Sequence, residues 1–138
     1  MARLPRPTES ELGILRVLWA DGPSTVRHVH ERMAGDKGVG YTTTLKLMQI
    51  MAEKGLVTRD ETARTHVYAA RASQDQTQRQ LVSDLVDRAF GGSAAALVLQ
   101  ALHSGTTSAA ELAEIKRLIE DHTRGGRTAR KKTGEHHG

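Results

Sequence analysis

A chain of 138 residues allows one domain or two small ones, and an apolar fraction of 38% supplies a modest core. The absence of cysteine excludes disulfide frameworks, thiolate metal sites and cysteine nucleophiles together. No run of about 18 apolar residues occurs, and the opening MARLPRPTES lacks the apolar stretch of a secretory leader, so a cytoplasmic protein without membrane insertion is expected. Of the 20 basic and 16 acidic side chains, five (Arg124, Arg127, Arg130, Lys131, Lys132) and one (Glu135) lie beyond residue 122. The formal charge of +4 therefore belongs to the tail, and residues 1–122 are balanced at 15 of each sign. Any nucleic-acid contact by the folded part must rest on local patches.

The first helix is announced by Thr8-x-x-Glu11, a capping box, followed by a broad apolar stripe of Leu12, Ile14, Leu15, Leu18 and Trp19. Asp21-Gly22-Pro23 stops it. Thr25 then reads as the N-cap of a short second helix with Val26, Val29, His30 and Met33 on one face. The glycine-rich GDKGVG leads into a third helix, Tyr41 to Lys54, closed by Gly55.

At about 100° per residue, Thr44, Met48 and Met51 fall on one side of this third helix, flanked by Leu47 and Ala52. Thr42, Thr43, Lys46, Gln49 and Ile50 fall on the other. Hydroxyls, an ammonium and an amide near a helix N-terminus suit entry into a DNA major groove. An amphipathic helix with a merely solvated face has the same pattern. The flanking elements decide between them.

After Gly55 the period shortens to two. Leu56–Asp60 and Thr65–Ala69 read as strands joined by Glu61-Thr62-Ala63-Arg64. Three helices and a hairpin make a winged helix-turn-helix over residues 1–72, with Arg64 at the tip of the wing. Ser73-x-x-Gln76 opens a new helix carrying Leu81, Val82, Leu85, Val86 and Ala89 and ending at Phe90. Ser93 caps AAALVLQAL, apolar almost all round, and Ser108-x-x-Glu111 caps a last helix with Leu112, Ile115, Leu118 and Ile119 on one face. About 50 residues cannot bury so much apolar surface alone. Residues 73–122 are therefore expected to be a three-helix dimerisation domain, its second copy covered through Leu81, Leu85, Val86, Phe90, Leu97, Leu102, Leu112, Ile115, Leu118 and Ile119. Residues 123–138 read as a disordered basic tail. The expected fold class is mainly α with a small β-hairpin.

Several motifs in this order resemble the BlaI/MecI penicillinase-repressor family. They are Trp19, Gly22-Pro23-x-Thr25-Val26-Arg27-x-Val29-His30-Glu31, Tyr41-Thr42-Thr43-x-Leu45, Lys54-Gly55-Leu56-Val57, Arg64-x-His66-x-Tyr68 and Phe90-Gly91-Gly92-Ser93. The resemblance spans roughly residues 8–120. It implies a homodimeric transcriptional repressor that binds operator dyads in double-stranded DNA, with a membrane-embedded metallopeptidase sensor acting upstream and release by that sensor or by proteolysis. Antibiotic-resistance members are cut at an Asn-Phe bond, and Leu97–Leu102 contains no such pair. A copper-responsive branch carries a cysteine cluster, which this chain lacks.

On this reading Thr42 and Thr43 are the N-cap and first turn of the reading helix, the first residues to touch DNA, or both. Lys46 reaches guanine or a phosphate, and Gln49 is placed to pair with adenine. Ile50 meets a thymine methyl or packs on a loop. Arg64 enters a minor groove, pairs with a phosphate beside it, or is a solvated turn residue. Arg27 and Arg32 read as phosphate neighbours. Trp19 and Tyr68 read as packing residues, and four scattered aromatics form no stacking platform for single strands.

Other chemistries find no support. His28-x-His30 and His136-His137 raise a metal site, but His30 lies on the inward stripe of its helix with no thiolate or carboxylate set beside it. His30-Glu31-x-x-Ala34 lacks the second histidine of a zincin, and Gly35-x-x-Gly38-x-Gly40 follows no strand. No enzyme, metal or cofactor is expected. Two other functions are compatible with the composition: non-specific DNA compaction by the basic tail, and a winged helix used only for protein contacts.

Overall fold

The computed structural model describes residues 5–33 and 40–137, with side chains described as far as residue 125. The elements are α1 (Glu9–Asp21), α2 (Val26–Met33), α3 (Tyr41–Lys54), β1 (Val57–Asp60), β2 (Val67–Ala70), α4 (Gln74–Ala89), α5 (Ala94–His103) and α6 (Ala109–His137). The fold is mainly helical with one antiparallel hairpin, as expected. Most of the GDKGVG loop lies outside the described residues.

The three capping boxes read from sequence all close. Thr8 N–H donates to Glu11 Oε1 at 2.9 Å while Glu11 N–H donates to Thr8 Oγ1 at 3.2 Å. Ser73 and Gln76 exchange the same two bonds, each at 3.0 Å, at the start of α4. Ser108 and Glu111 do so at 3.0 and 3.1 Å before α6. Thr25 Oγ1 accepts from His28 N–H at 3.1 Å, which makes it the cap of α2.

Helix α3 stops by a Schellman turn. Gly55 N–H donates to Ala52 O and Leu56 N–H to Met51 O, which requires the left-handed φ of 86° at Gly55. Both Leu56 and Met51 are buried, so the chain reversal also packs an apolar pair beneath itself. The core they join is formed by Ile14, Leu15 and Leu18 of α1, Val29 of α2, Met48 of α3, Val57 of β1 and Tyr68 of β2.

Both strands of the hairpin start later than expected, β1 by one residue and β2 by two, and β2 runs one residue further, to Ala70. The register pairs Val57 with Ala70 and Asp60 with Val67. Leu56 belongs to the helix stop, and Thr65 and His66 to the turn. On its other side β2 pairs with the α1–α2 connector: Ser24 N–H donates to Tyr68 O at 2.9 Å and Tyr68 N–H to Ser24 O at 2.8 Å. Both backbone groups of Tyr68 are taken by Ser24, so strand β2 is paired on both edges, and the Tyr68 side chain is buried.

Two compact units divide the chain, residues 1–87 and 88–138. That division falls inside α4, whereas composition places the boundary at Arg71-Ala72. Two bonds draw this helix to the first unit. Trp19 Nε1–H donates to Ala72 O at 3.0 Å, and Arg6 Nε lies 3.6 Å from Asp84 Oδ2. In the second unit α5 has no buried residue, and Val98, Leu99, Leu102, Leu112, Leu118 and Ile119 are exposed. Leu97, Phe90 and Ile115 are half-buried. Helix α6 is assigned past Thr123, where the sequence ends regular structure. The expected disordered tail falls on residues whose side chains are, from residue 126, outside the description.

Candidate nucleic-acid interface

Helix α3 is seated by its apolar side. Met48 and Met51 have 0% exposure and Thr44 only 4%, while Leu47 and Ala52 are half-buried. The Thr44 hydroxyl satisfies itself by donating to Gly40 O at 3.4 Å and lying 3.4 Å from His30 Nδ1. With that side committed, Thr42, Thr43, Lys46, Gln49 and Ile50 are all exposed on the other. The helical wheel and the structure agree residue by residue.

The N-terminus of α3 differs from expectation. Gly40 is the N-cap, extended at φ −78° and without a side-chain cap bond. Helical geometry begins at Tyr41, so Thr42 and Thr43 occupy the second and third helical positions and neither is the cap. The physical consequence favours an anion. No hydroxyl closes over the first-turn N–H groups, which stay open at the positive end of the helix dipole.

Tyr41, read from sequence only as the start of the third helix and part of a motif, organises two neighbours. Its ring takes the Arg27 guanidinium over its face, 5.7 Å from the centroid. The ring of His30 meets it edge-on at 5.8 Å and 85°. Arg27 is thus held by a cation–π contact beside the first turn of α3 while remaining exposed. Thirteen residues, the glycine-rich loop among them, separate the two in sequence, so no periodicity signals the pairing.

Arg32 stands differently. Its Nε donates to Asp21 Oδ2 at 2.6 Å, and His28 Nε2 lies 2.8 Å from the same oxygen. Bonds from Arg32 and then His28 hold the Asp21 carboxyl below its ordinary value and raise the Arg32 guanidinium. Its charge is engaged within the protein, so of the two arginines on α2 only Arg27 is placed to act outward.

At the wing, two exposed acidic side chains are bonded to their neighbours. Asp60 Oδ1 accepts from Thr62 N–H at 2.9 Å and from Thr62 Oγ1 at 2.7 Å, which lowers the Asp60 carboxyl. Arg59 Nε donates to Glu61 Oε2 at 2.6 Å; hydrogen bonding to Tyr68 and Glu61 raises its guanidinium. Arg64 is exposed in the turn and, like Lys46, forms no ion pair with a described residue. The wing therefore carries Arg64, with no ion pair to a described residue, beside an Asp60 carboxylate held by Thr62 and a Glu61 carboxylate paired with Arg59.

Helix α3 is braced at its far end by charge. Lys54 Nζ donates to both carboxylate oxygens of Glu11, at 2.8 and 2.9 Å. Glu11 is 2% exposed and also carries the capping box of α1. Burial pushes its carboxyl up, but the bonds from Lys54 and from Thr8 outweigh burial and hold it below the ordinary value. Among the described residues no group of three potential metal ligands occurs. No single helix among them is long and apolar enough to cross a membrane.

Comparison with known proteins gives the family of the chain. The profile of the penicillinase repressor family matches residues 7–121. The transcriptional regulator BlaI of Mycobacterium tuberculosis is 35% identical over 101 residues, covering 71% of this chain and 73% of its own. The penicillinase repressor of Bacillus licheniformis is 19% identical over 122 residues, covering 88% and 95%. A solved structure of monomeric Bacillus licheniformis BlaI with the blaP half-operator aligns with a TM-score of 0.48 at 17% identity, over 55% of this chain and 93% of that one. The extent of the family match, nearly the whole of the first unit and most of the second, leads to one conclusion: this chain belongs to the penicillinase repressor family of transcriptional repressors, which are not enzymes.

Proposed function

We propose that the chain acts as a homodimer on operator dyads, reading DNA with α3 and the wing and letting go on a signal from a membrane sensor or by proteolysis. The observation that carries this reading is the sidedness of α3. One face is sunk completely in the core, and Thr42, Thr43, Lys46 and Gln49 stand together on the other. Arg27 and Arg64 flank that face as phosphate contacts. The exposed leucines and isoleucine of α5 and α6 support the dimer, because apolar surface of that density is covered in soluble proteins. Two copies place two reading helices on half-sites about 34 Å apart. Release by cleavage would use a bond other than Asn-Phe, since α5 contains none.

The reading is tested by a gel shift on the DNA upstream of the chain's own coding sequence at about 0.1 M salt. Binding with a Kd of ~10⁻⁸ M or tighter and a preference for dyads is expected. Binding without sequence preference would overturn it. Within that assay, Lys46→Ala is expected to cost about 1–2 kcal/mol. If Lys46 reads a base, discrimination relaxes at one position. If it holds a phosphate, all sequences weaken together and the salt slope falls by about 0.9. An unchanged affinity would remove Lys46 from the interface.

Removing residues 123–138 separates the tail from the reading head. The truncated chain is expected to keep its sequence preference and lose mainly salt-sensitive affinity. Loss of nearly all binding would instead assign DNA affinity to the tail.

A further inference from the structure

Two arginines of α2 are exposed, and the chain treats their charges in different ways. Arg32 donates from Nε and Nη2 to the Asp21 carboxylate at 2.6 and 3.4 Å, so its charge is offset and part of its donor set is taken. Arg27 forms no ion pair with a described residue. A carboxylate stands nearby along the helix, since Glu31 follows four residues later on the same side of α2. The Arg27 guanidinium lies instead over the ring of Tyr41, 5.7 Å from its centroid.

The choice of partner matters chemically. A carboxylate takes N–H donors and cancels the charge that a phosphate would meet. A ring attracts the cation through its quadrupole, takes no donor in return and leaves the charge whole. The ring is itself held in place. Tyr41 is 42% exposed, yet His30, three residues after Arg27 on α2, meets it edge-on at 5.8 Å. His30 Nδ1 in turn lies 3.4 Å from Oγ1 of Thr44, which is buried. A run of contacts thus starts on the buried side of α3, passes through His30 and Tyr41, and ends on an exposed cation. That cation stands beside the first residue of α3, whose next two residues, Thr42 and Thr43, are on the open side.

We propose that Tyr41 is a positioning residue for DNA binding: its ring holds Arg27 at the start of α3 as a charge without a carboxylate partner, ready to meet a phosphate beside the reading helix. This role rests on the reading of Arg27 as a phosphate contact and adds what places it there. An arginine free on a helix surface loses rotamer freedom when it takes a phosphate, and one already held by a ring loses less. Tyr41 itself touches no phosphate, and its hydroxyl has no part in the contact.

The experiment uses the full chain and the dyad that the wild type selects from a random pool, titrated at several salt concentrations. Tyr41→Phe, Tyr41→Leu, Arg27→Ala and the double variant of Tyr41→Leu with Arg27→Ala are compared with wild type. Melting curves establish that each is folded; where Tyr41→Leu is not, Tyr41→Met takes its place. Tyr41→Phe keeps the ring and should bind within about twofold of wild type. Tyr41→Leu should weaken binding about two- to fivefold for each protomer bound. Its salt slope should fall toward that of Arg27→Ala, which loses about 0.9 for each missing phosphate contact. Added to Arg27→Ala, Tyr41→Leu should change neither affinity nor slope. Equal losses from Tyr41→Leu in both backgrounds would overturn the positioning role, as would a loss in Tyr41→Phe as large as in Tyr41→Leu. Tyr41→Leu binding like wild type while Arg27→Ala binds weakly would do the same. A wild type that selects no sequence, or an Arg27→Ala chain with wild-type affinity and slope, would overturn the underlying reading itself and the role of Tyr41 with it.

Discussion

Leu85→Asp is expected to leave the chain folded and abolish its dimer. Leu85 is 46% exposed in the single chain, so the new carboxylate meets water there and unfolding is not the anticipated outcome. In the proposed dimer the same carboxylate would be buried without a partner among apolar side chains, a cost of several kcal/mol. Loss of the second copy removes the effective-concentration gain of the second half-site, worth about 10²-fold or more in affinity. Sedimentation should report a monomer, the melting of the winged helix should change little, and half-site binding should persist. An intact dimer would show that Leu85 lies outside the interface. Val86 gives the matching control: it is already buried in the single chain, so Val86→Asp should damage the fold itself.

Lys54→Met is expected to carry the largest cost in stability, about 2–4 kcal/mol at neutral pH. The figure lies around the lower part of the range for breaking a buried pair, because the Lys54 side chain is 35% exposed while that of Glu11 is only 3% exposed. Methionine keeps the stem and its packing, so the loss reports the charge left behind on Glu11. The pH dependence gives a second check. Glu11 is held below its ordinary value of 4.5 in the folded chain, so its contribution is present above that value and is lost as the pH falls through the lowered one. In the variant, burial is opposed only by the bonds from Thr8, and protonation of Glu11 becomes easier. Urea melts should therefore show the gap between wild type and variant narrowing as the pH falls from 7 to below 4.5. A gap of constant size would mean that Lys54 acts through packing alone.

Much of this molecule is legible because its signals are local. The capping boxes at Thr8, Ser73 and Ser108 need only a hydroxyl and a carboxylate or amide three residues apart, and each forms as read. The two sides of α3 follow from a period of 3.6, and every residue assigned to the open side is exposed. What escaped the sequence lies in contacts between distant residues. Lys54 reads as a cation at a helix C-terminus, yet its partner is Glu11, 43 positions earlier. Ser24 reads as part of a loop, but its backbone pairs with Tyr68. Gly40, rather than a threonine, caps α3, because helical geometry starts one residue ahead of the hydroxyls. On α4 the apolar stripe was visible, but not that Thr77 and Asp84 of the polar side are buried with Val86 while Val82 and Leu85 stay exposed. Periodicity tells which residues share a face, and it leaves open which face a neighbour will take.

The bond pair between Ser24 and Tyr68 bears on how the wing adapts to DNA. Because β2 is fastened on both edges, the base of the hairpin cannot swing without breaking backbone bonds to the α1–α2 connector. Any fitting of the wing to a groove is then confined to residues 61–66, the turn between the strands. Freezing a residue's backbone costs about 1–2 kcal/mol, and for the strands that entropy is already lost before DNA arrives. In the proposed complex, a stiff wing of this kind would contribute its contact through Arg64 at a low entropic penalty and tolerate little variation in groove width. On the proposed reading, operators would be filtered partly by shape, by a strand whose residues need not touch a base.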